Sequence, residues 1–439
     1  MTVVNEELHA ATVAAFDRRT RPGQHLATYA DRVAMACHDM AGRFHAGGKL
    51  LVFGNGGGAT DAQHIAVEFI HPVIVGKRAL PALSLVGDVA TVMGVAAKHG
   101  FDDVFAHQIN VLGAAQDIAL GVSADGQCVN VLRGLEAAHA AGLLTVALVG
   151  AGADGTGGAI AASPAVDHCF TVDSADSHIV KEVHVTTYHV LWELVHVFID
   201  QPRLLGGGAE PVPAGDGLES LYPFLYEGSG SLAEELQSVA GSTLEKVAEI
   251  VDLRRSVGAH VAPQLARCAA ILADSFRTGG RMLAFGNGGS STDAQDVVHT
   301  FFDPPDGTPA LPALCLTNDA AVMTALSNDI GFEVVFARQV AAFGRPGDIA
   351  MGISTSGGSA NVLQGFERAK GLGLVTVGLS GYGGGKMAEL DCLDFLFAIP
   401  SSSVHRVQEV QTTIYHVLWE VTQAALAAAG QDRAAATTA

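Results

Sequence analysis

Leu51-Val-Phe-Gly-Asn-Gly-Gly-Gly-Ala-Thr-Asp-Ala-Gln63 decides the fold, because the chain contains it twice. Its second occurrence is Leu283-Ala-Phe-Gly-Asn-Gly-Gly-Ser-Ser-Thr-Asp-Ala-Gln295. In each, an apolar run ends in Gly-Asn-Gly-Gly and opens into a helix-favouring stretch. Glycine permits the sharp strand-to-helix turn and a close backbone approach, and a helix N-terminus offers free N–H groups to an anion. Asn55, Gly56 and Gly57 in the first loop, and Asn287, Gly288, Gly289 and Ser290 in the second, are candidate phosphate and sugar contacts. Neither of these two loops has the dinucleotide spacing GxGxxG.

Three further matches keep the same order. Gly100–Phe105 recurs as Gly331–Phe336, Asn130-Val-Leu as Asn361-Val-Leu, and Tyr188–Glu193 as Tyr415–Glu420. The offset stays between 227 and 232 residues, which marks a duplication rather than chance. Five short apolar runs per copy alternate with longer helical stretches. They lie near Lys49–Phe53, Ala82–Val86, Asp117–Val122, Leu144–Val149 and Cys169–Val172, then Arg281–Phe285, Ala313–Thr317, Asp348–Ile353, Leu374–Leu379 and Phe395–Ile399. Continuous apolar strands between helices predict an α/β fold with a parallel sheet covered on both faces, one sheet per copy. The expected division is 1–200 for the first domain, 201–230 for a Gly/Pro-rich linker, 231–430 for the second domain and 431–439 for a disordered Ala/Thr tail. The aromatic cluster Tyr222–Tyr226 suggests that part of the linker packs down.

Composition narrows the partners. A formal net charge of −20 repels nucleic acid and anionic lipid, so neither is expected. No apolar run reaches the ~18–20 residues of a membrane span, and the N-terminus has no basic stretch followed by an apolar one. Six scattered cysteines without a CxxC pair read as reduced thiols in a cytoplasmic protein.

A second loop carries more chemistry. The copy-two strand ending at Ile353 leads into Ser354-Thr355-Ser356-Gly357-Gly358-Ser359-Ala360-Asn361. Four hydroxyls and two glycines before a helix make a nest that holds phosphate without a lysine. The combination GNGGSSTDAQ and GISTSGGSANVL resembles the sugar isomerase (SIS) domain, and within it the phosphoheptose isomerases. The resemblance covers each copy nearly end to end. It implies flavodoxin-like five-stranded sheets, a sugar-phosphate substrate and homo-oligomers, here a dimer of tandem chains. Copy one departs from the pattern with Ser123-Ala-Asp-Gly-Gln-Cys128, where Asp125 would repel phosphate.

His64 and Glu68 share one face of the helix after the first loop. In an arbitrary HxxxE this is usually a structural pair. The resemblance gives them more: a metal-binding His and a catalytic Glu, with zinc as the metal. It also implies a Gln followed eight residues later by a His on the last helix. Copy two keeps Gln408 and His416, whereas copy one keeps His189 but has Lys181 for the Gln. Copy two has Asp296 and Thr300 in place of the His and Glu. By the same resemblance Asp88 and Asp319 are substrate contacts, and His189 or His416 is the acid opposing Glu68. His178 and His405 are within reach of the ligand.

Eight helical residues span roughly 12 Å, too far for two side chains to share one metal at ~2 Å. The Gln and His of one site are therefore expected from different copies or subunits. One site would combine His64, Glu68, Gln408 and either His189 or His416. The other would hold Asp296, Thr300 and Lys181, with a salt bridge in place of the metal. The implied activity is aldose–ketose interconversion of sedoheptulose 7-phosphate. The alternative is a non-catalytic, sugar-phosphate-binding regulator.

Overall fold

The computed structural model describes residues 2–74, 76–205, 231–305 and 307–438. Copy one contributes β1 (Leu50–Gly54), β2 (Ala82–Ser84), β3 (Ile118–Ser123), β4 (Leu144–Gly150) and β5 (His168–Val172). Copy two contributes β6 (Met282–Gly286), β7 (Ala313–Cys315), β8 (Ile349–Ser354), β9 (Val375–Ser380) and β10 (Phe395–Ala398). Each set forms one five-stranded, all-parallel sheet. The orders, β2-β1-β3-β4-β5 and β7-β6-β8-β9-β10, are the same flavodoxin-like order. Strands β1, β3, β4, β6 and β8 are buried along their whole length. Leu50 and Val52 pack on one face of the first sheet, and Leu51 and Phe53 on the other. That two-sided burial explains why these strands read as unbroken apolar runs.

The strand order reverses between β1 and β3, and between β6 and β8, so the loops leaving those strands stand side by side. Gly56 (φ 54°) and Gly288 (φ 55°) precede the helices Gly57–Ile70 and Gly289–Phe302. Only glycine takes this left-handed turn without strain. These two loop helices pack against each other, and so do the helices Ser177–Ile199 and Val404–Thr438. Both sites therefore open at the junction between the copies.

The cores are interleaved. Leu8, Ala15 and Phe16, from the helix Thr2–Asp17, pack into the core of copy two beside Ile414 and Tyr415. In exchange, Val239 and Ala240, from the helix Leu232–Arg277, pack into the core of copy one. Gly258 makes the crossing possible, since a Cβ there would stand 2.6 Å from the Phe16 ring. Residues 206–230, with the Tyr222–Tyr226 cluster, lie outside the described residues. The last helix, Val404–Thr438, runs through the stretch expected to be a disordered tail. Alanine, which dominates that stretch, is the strongest helix former. No described helix is long and apolar enough to cross a membrane.

Candidate active site

His64 and Glu68 project from the loop helix of copy one, one turn apart, each 3% exposed. His189 comes from the last helix of the same copy and is fully buried. One ligand atom from each of the three lies within 4.8 Å of the others. Gln408, from the last helix of copy two, completes the group with its side-chain amide 3.2 Å from His64 Nε2. Two buried atoms here have no hydrogen-bond partner among the described residues: His189 Nε2 and Gln408 Oε1. His189 Nδ1 donates to Glu409 Oε1 at 3.0 Å, which leaves a lone pair on Nε2. A carboxylate behind a histidine whose other nitrogen is free is the usual support of a metal-ligating imidazole.

His405 of copy two stacks on His189 and links Glu68 Oε2 (3.2 Å) to Glu193 Oε1 (2.7 Å). Burial alone would lower the His405 pKa, but the bonds to Glu193 and Glu68 outweigh it and push it up to about 9. Burial alone would raise the Glu68 carboxyl. The bonds from His405 and His64 prevail and hold it well below the usual carboxylate range. Burial, with the neighbouring His405, holds His189 well below the ordinary histidine value, which fits a neutral ligand.

This cluster faces the loops of copy two. A Cβ on Gly289 would stand 2.1 Å from Gln408 Nε2 and 2.7 Å from His64 Nε2. The hydroxyl loop adjoins it: Gly381 donates to the Thr355 carbonyl, and a Cβ on Gly381 would strike Val407, the neighbour of Gln408. In that loop Ser354 Oγ lies 3.0 Å from Ser359 Oγ and 3.5 Å from Ser356 Oγ. The intact loop of copy two and the His/Glu helix of copy one thus meet in one place.

The reciprocal pairing builds the second cleft. Loop residues of copy one, Asn55–Gly58, line a cavity of about 500 Å³ with Asp296, His299 and Thr300 of copy two. Lys181 Nζ donates to Asp61 Oδ1 (2.7 Å), Thr60 Oγ1 (2.9 Å) and the Gly57 carbonyl (2.9 Å), and lies 3.6 Å from Asp296 Oδ1. Burial alone would lower the Lys181 pKa, but Asp296 and Asp61 hold it above the ordinary lysine value. His416, offered from sequence as an acid or metal ligand, lies here and not with His64. Both its nitrogens are engaged, Nδ1 with Glu182 (3.0 Å) and Nε2 with Asp296 (3.2 Å). It has no lone pair to give a metal.

The loop asparagines are tied to one another across neighbouring loops. Asn55 and Asn130 exchange amide hydrogen bonds at 2.7 and 3.0 Å, and Asn287 and Asn361 do so at 2.9 Å each. Each pair staples the glycine loop to the helix behind the neighbouring loop. Ser290 is buried in the first helical turn, 4% exposed. Asp88 and Asp319 cap helices through Thr91 N (3.1 Å) and Val322 N (3.0 Å). Sequence reasoning missed Glu182 and Glu409. The available signal was a carboxylate at the same place in the last helix of each copy, Lys181-Glu182 and Gln408-Glu409.

Comparison with known proteins matches residues 20–150 and 247–381, more than half of the chain, to the SIS domain family. Phosphoheptose isomerase of Roseiflexus sp. is 40% identical over 184 residues, covering 42% of this chain and 92% of that protein. That of Aquifex aeolicus is 40% identical over 186 residues, covering 41% and 96%. Some solved structures match both copies together. The C-terminal domain of glucosamine-fructose-6-phosphate aminotransferase from Francisella tularensis has a TM-score of 0.58 at 9% identity, covering 95% of this chain and 96% of that one. Tagatose-6-phosphate ketose/aldose isomerase from Escherichia coli has a TM-score of 0.56 at 10% identity, covering 95% and 93%. At these identities the likeness is one of fold.

Proposed function

The chain belongs to the SIS domain family in both of its copies, and from that premise we propose that it is a sugar-phosphate aldose–ketose isomerase with one composite site, acting on sedoheptulose 7-phosphate. The observation that carries the reading is the meeting of His64, Glu68 and His189 with Gln408 beside the intact hydroxyl loop of copy two.

The buried, unpartnered His189 Nε2 and Gln408 Oε1 fit a metal ion, and His64, Glu68, His189 and Gln408 would hold it. Nitrogen and oxygen donors in a four-residue set suit zinc. When bound, the ion would polarise the oxygens on C1 and C2 of the sugar. Ser354, Thr355, Ser356 and Ser359, with the helix that begins at Ala360, would receive the phosphate. Glu68, held ionised by His405, would carry the proton between C1 and C2 through an enediol. The His405 imidazolium keeps Glu68 aimed and offsets negative charge as the enediol forms. His189 supplies a lone pair, so it serves as a ligand better than as the opposing acid.

The test is direct. Purified protein stripped with a chelator should not convert sedoheptulose 7-phosphate, and added zinc should restore aldose formation. Binding of the sugar phosphate without turnover in the zinc-loaded protein would favour the regulator instead.

The loop pairing makes a second prediction. Gly289→Ala drives Gln408 and His64 apart, and a displacement near 1 Å at a reacting site costs on the order of 10²-fold in rate. Gly57→Ala meets the flexible Lys181 Cδ at 3.2 Å and Asp296 Oδ1 at an ordinary 3.5 Å, both in the second cleft, and should leave the rate nearly unchanged. Steady-state kinetics on the two variants decide it. Equal losses would place the chemistry in both clefts or in neither.

A further inference from the structure

The second cleft kept its cavity while its chemistry changed. Asp125 stands where copy two has Ser356. Its Oδ1 accepts from Gln127 N (2.9 Å) and from Ser123 Oγ (3.2 Å). A carboxylate of the chain thus takes the donors that an anion in this loop would use. The three protons of Lys181 are spent on Asp61, Thr60 and Gly57, so the one lysine lining the cleft has none left for a ligand. Asp61, Asp296 and Asp303 add carboxylates to the walls. A dianionic phosphate finds few free donors here and several negative charges.

Two residues of the lining each bury a polar atom that remains unanswered. Asp61 Oδ2 and His184 Nε2 have no partner among the described residues, and their side chains are 1% and 2% exposed. His184 is hydrogen-bonded through its other nitrogen to the Val149 carbonyl, so Nε2 is an acceptor. Both atoms require a donor, and buried polar groups seldom go without one. A cavity of about 500 Å³ is of the size that takes a small organic ligand.

We propose that the second cleft binds a polyhydroxylated ligand that carries no phosphate, with hydroxyl groups donating to Asp61 Oδ2 and His184 Nε2, while Asp125 and Lys181 exclude the phosphorylated form. This goes beyond the isomerase reading, because it requires neither turnover nor metal. The chain then reads two chemistries across one junction: a phosphorylated sugar in one cleft and an uncharged polyol in the other.

The test uses the full chain. Free sedoheptulose is the probe for saturation-transfer NMR. Transfer is expected with the wild type and with Ser356→Asp, which places a carboxylate in the other loop. It should fall at least fivefold in His299→Trp, which fills the second cleft from its half-buried rim. No transfer to the wild type, or transfer lost in Ser356→Asp and kept in His299→Trp, overturns the proposal. Inorganic phosphate supplies an independent reading. Asp125→Ser should add one bound phosphate per chain relative to the wild type, and an unchanged count overturns the exclusion. The increment rather than the total is read, so a failure of the isomerase reading at the other loop is seen separately.

Discussion

Glu68→Gln is expected to lower kcat for sedoheptulose 7-phosphate by about 10³-fold or more, within the range that a positioned general base contributes. The replacement keeps shape and removes the basic lone pair and the charge. Glu68 is 3% exposed, with one oxygen 3.5 Å from His64 and the other 3.2 Å from His405, so no water takes its place easily. His405 retains Glu193 at 2.7 Å and stays paired, which keeps the variant folded. Sugar-phosphate binding should hold, because the hydroxyl loop belongs to copy two and is untouched. Thr300→Val changes the equivalent position of the second cleft and should leave kcat where it was. Zinc content measured on both proteins separates a lost ligand from a lost base. A Glu68→Gln protein that turns over as fast as Thr300→Val would remove the composite site from consideration.

Much of this was legible in the sequence for a physical reason. The parallel sheets announce themselves because β1, β3, β6 and β8 are buried on both faces and must be apolar throughout. The eight-residue spacing of Gln408 and His416 argues that a site draws on more than one copy or subunit, and in the structure Gln408 lies beside His64 while His416 lies beside Asp296. Spacing along one helix is a local quantity, so sequence contains it. Which loop faces which helix is not local. It depends on how Gly57–Ile70 packs on Gly289–Phe302, and an offset in the chain says nothing of that. For the same reason sequence left His189 and His416 interchangeable. What separates them is the neighbour of Nε2: no partner for His189, Asp296 for His416. The exchange of Leu8 and Phe16 for Val239 and Ala240 was equally hidden, since any apolar helix face satisfies either core.

Removing Glu182 is expected to cost more stability than any single surface change, on the order of 3–5 kcal/mol for a buried pair broken on one side. Its two oxygens accept from Arg19 Nε at 2.9 and 3.0 Å, from Thr413 Oγ1 at 2.7 Å and from His416 Nδ1 at 3.0 Å. Arg19 is 4% exposed and Glu182 1%, so Glu182→Ala leaves the guanidinium with Glu420 and the Ala15 carbonyl, and the imidazolium with Asp296 alone. The four groups come from the crossing segment near the N-terminus, the last helix of copy one and the last helix of copy two. The loss therefore falls on the junction that both clefts share. Burial alone would raise the Glu182 carboxyl, but Arg19 and His416 hold it well below the usual carboxylate range. A depressed carboxylate contributes fully above its unfolded pKa, near 4.3, and the contribution drains away as pH falls below that. The gap between wild type and variant in urea melts should thus be complete at pH 6 and should narrow below about pH 4. Asp200→Ala breaks the exposed Lys77–Asp200 pair and serves as the control, at under about 1 kcal/mol. If Glu182→Ala melts like that control, the ion network does not hold the copies together, and apolar packing between the interleaved helices must do so.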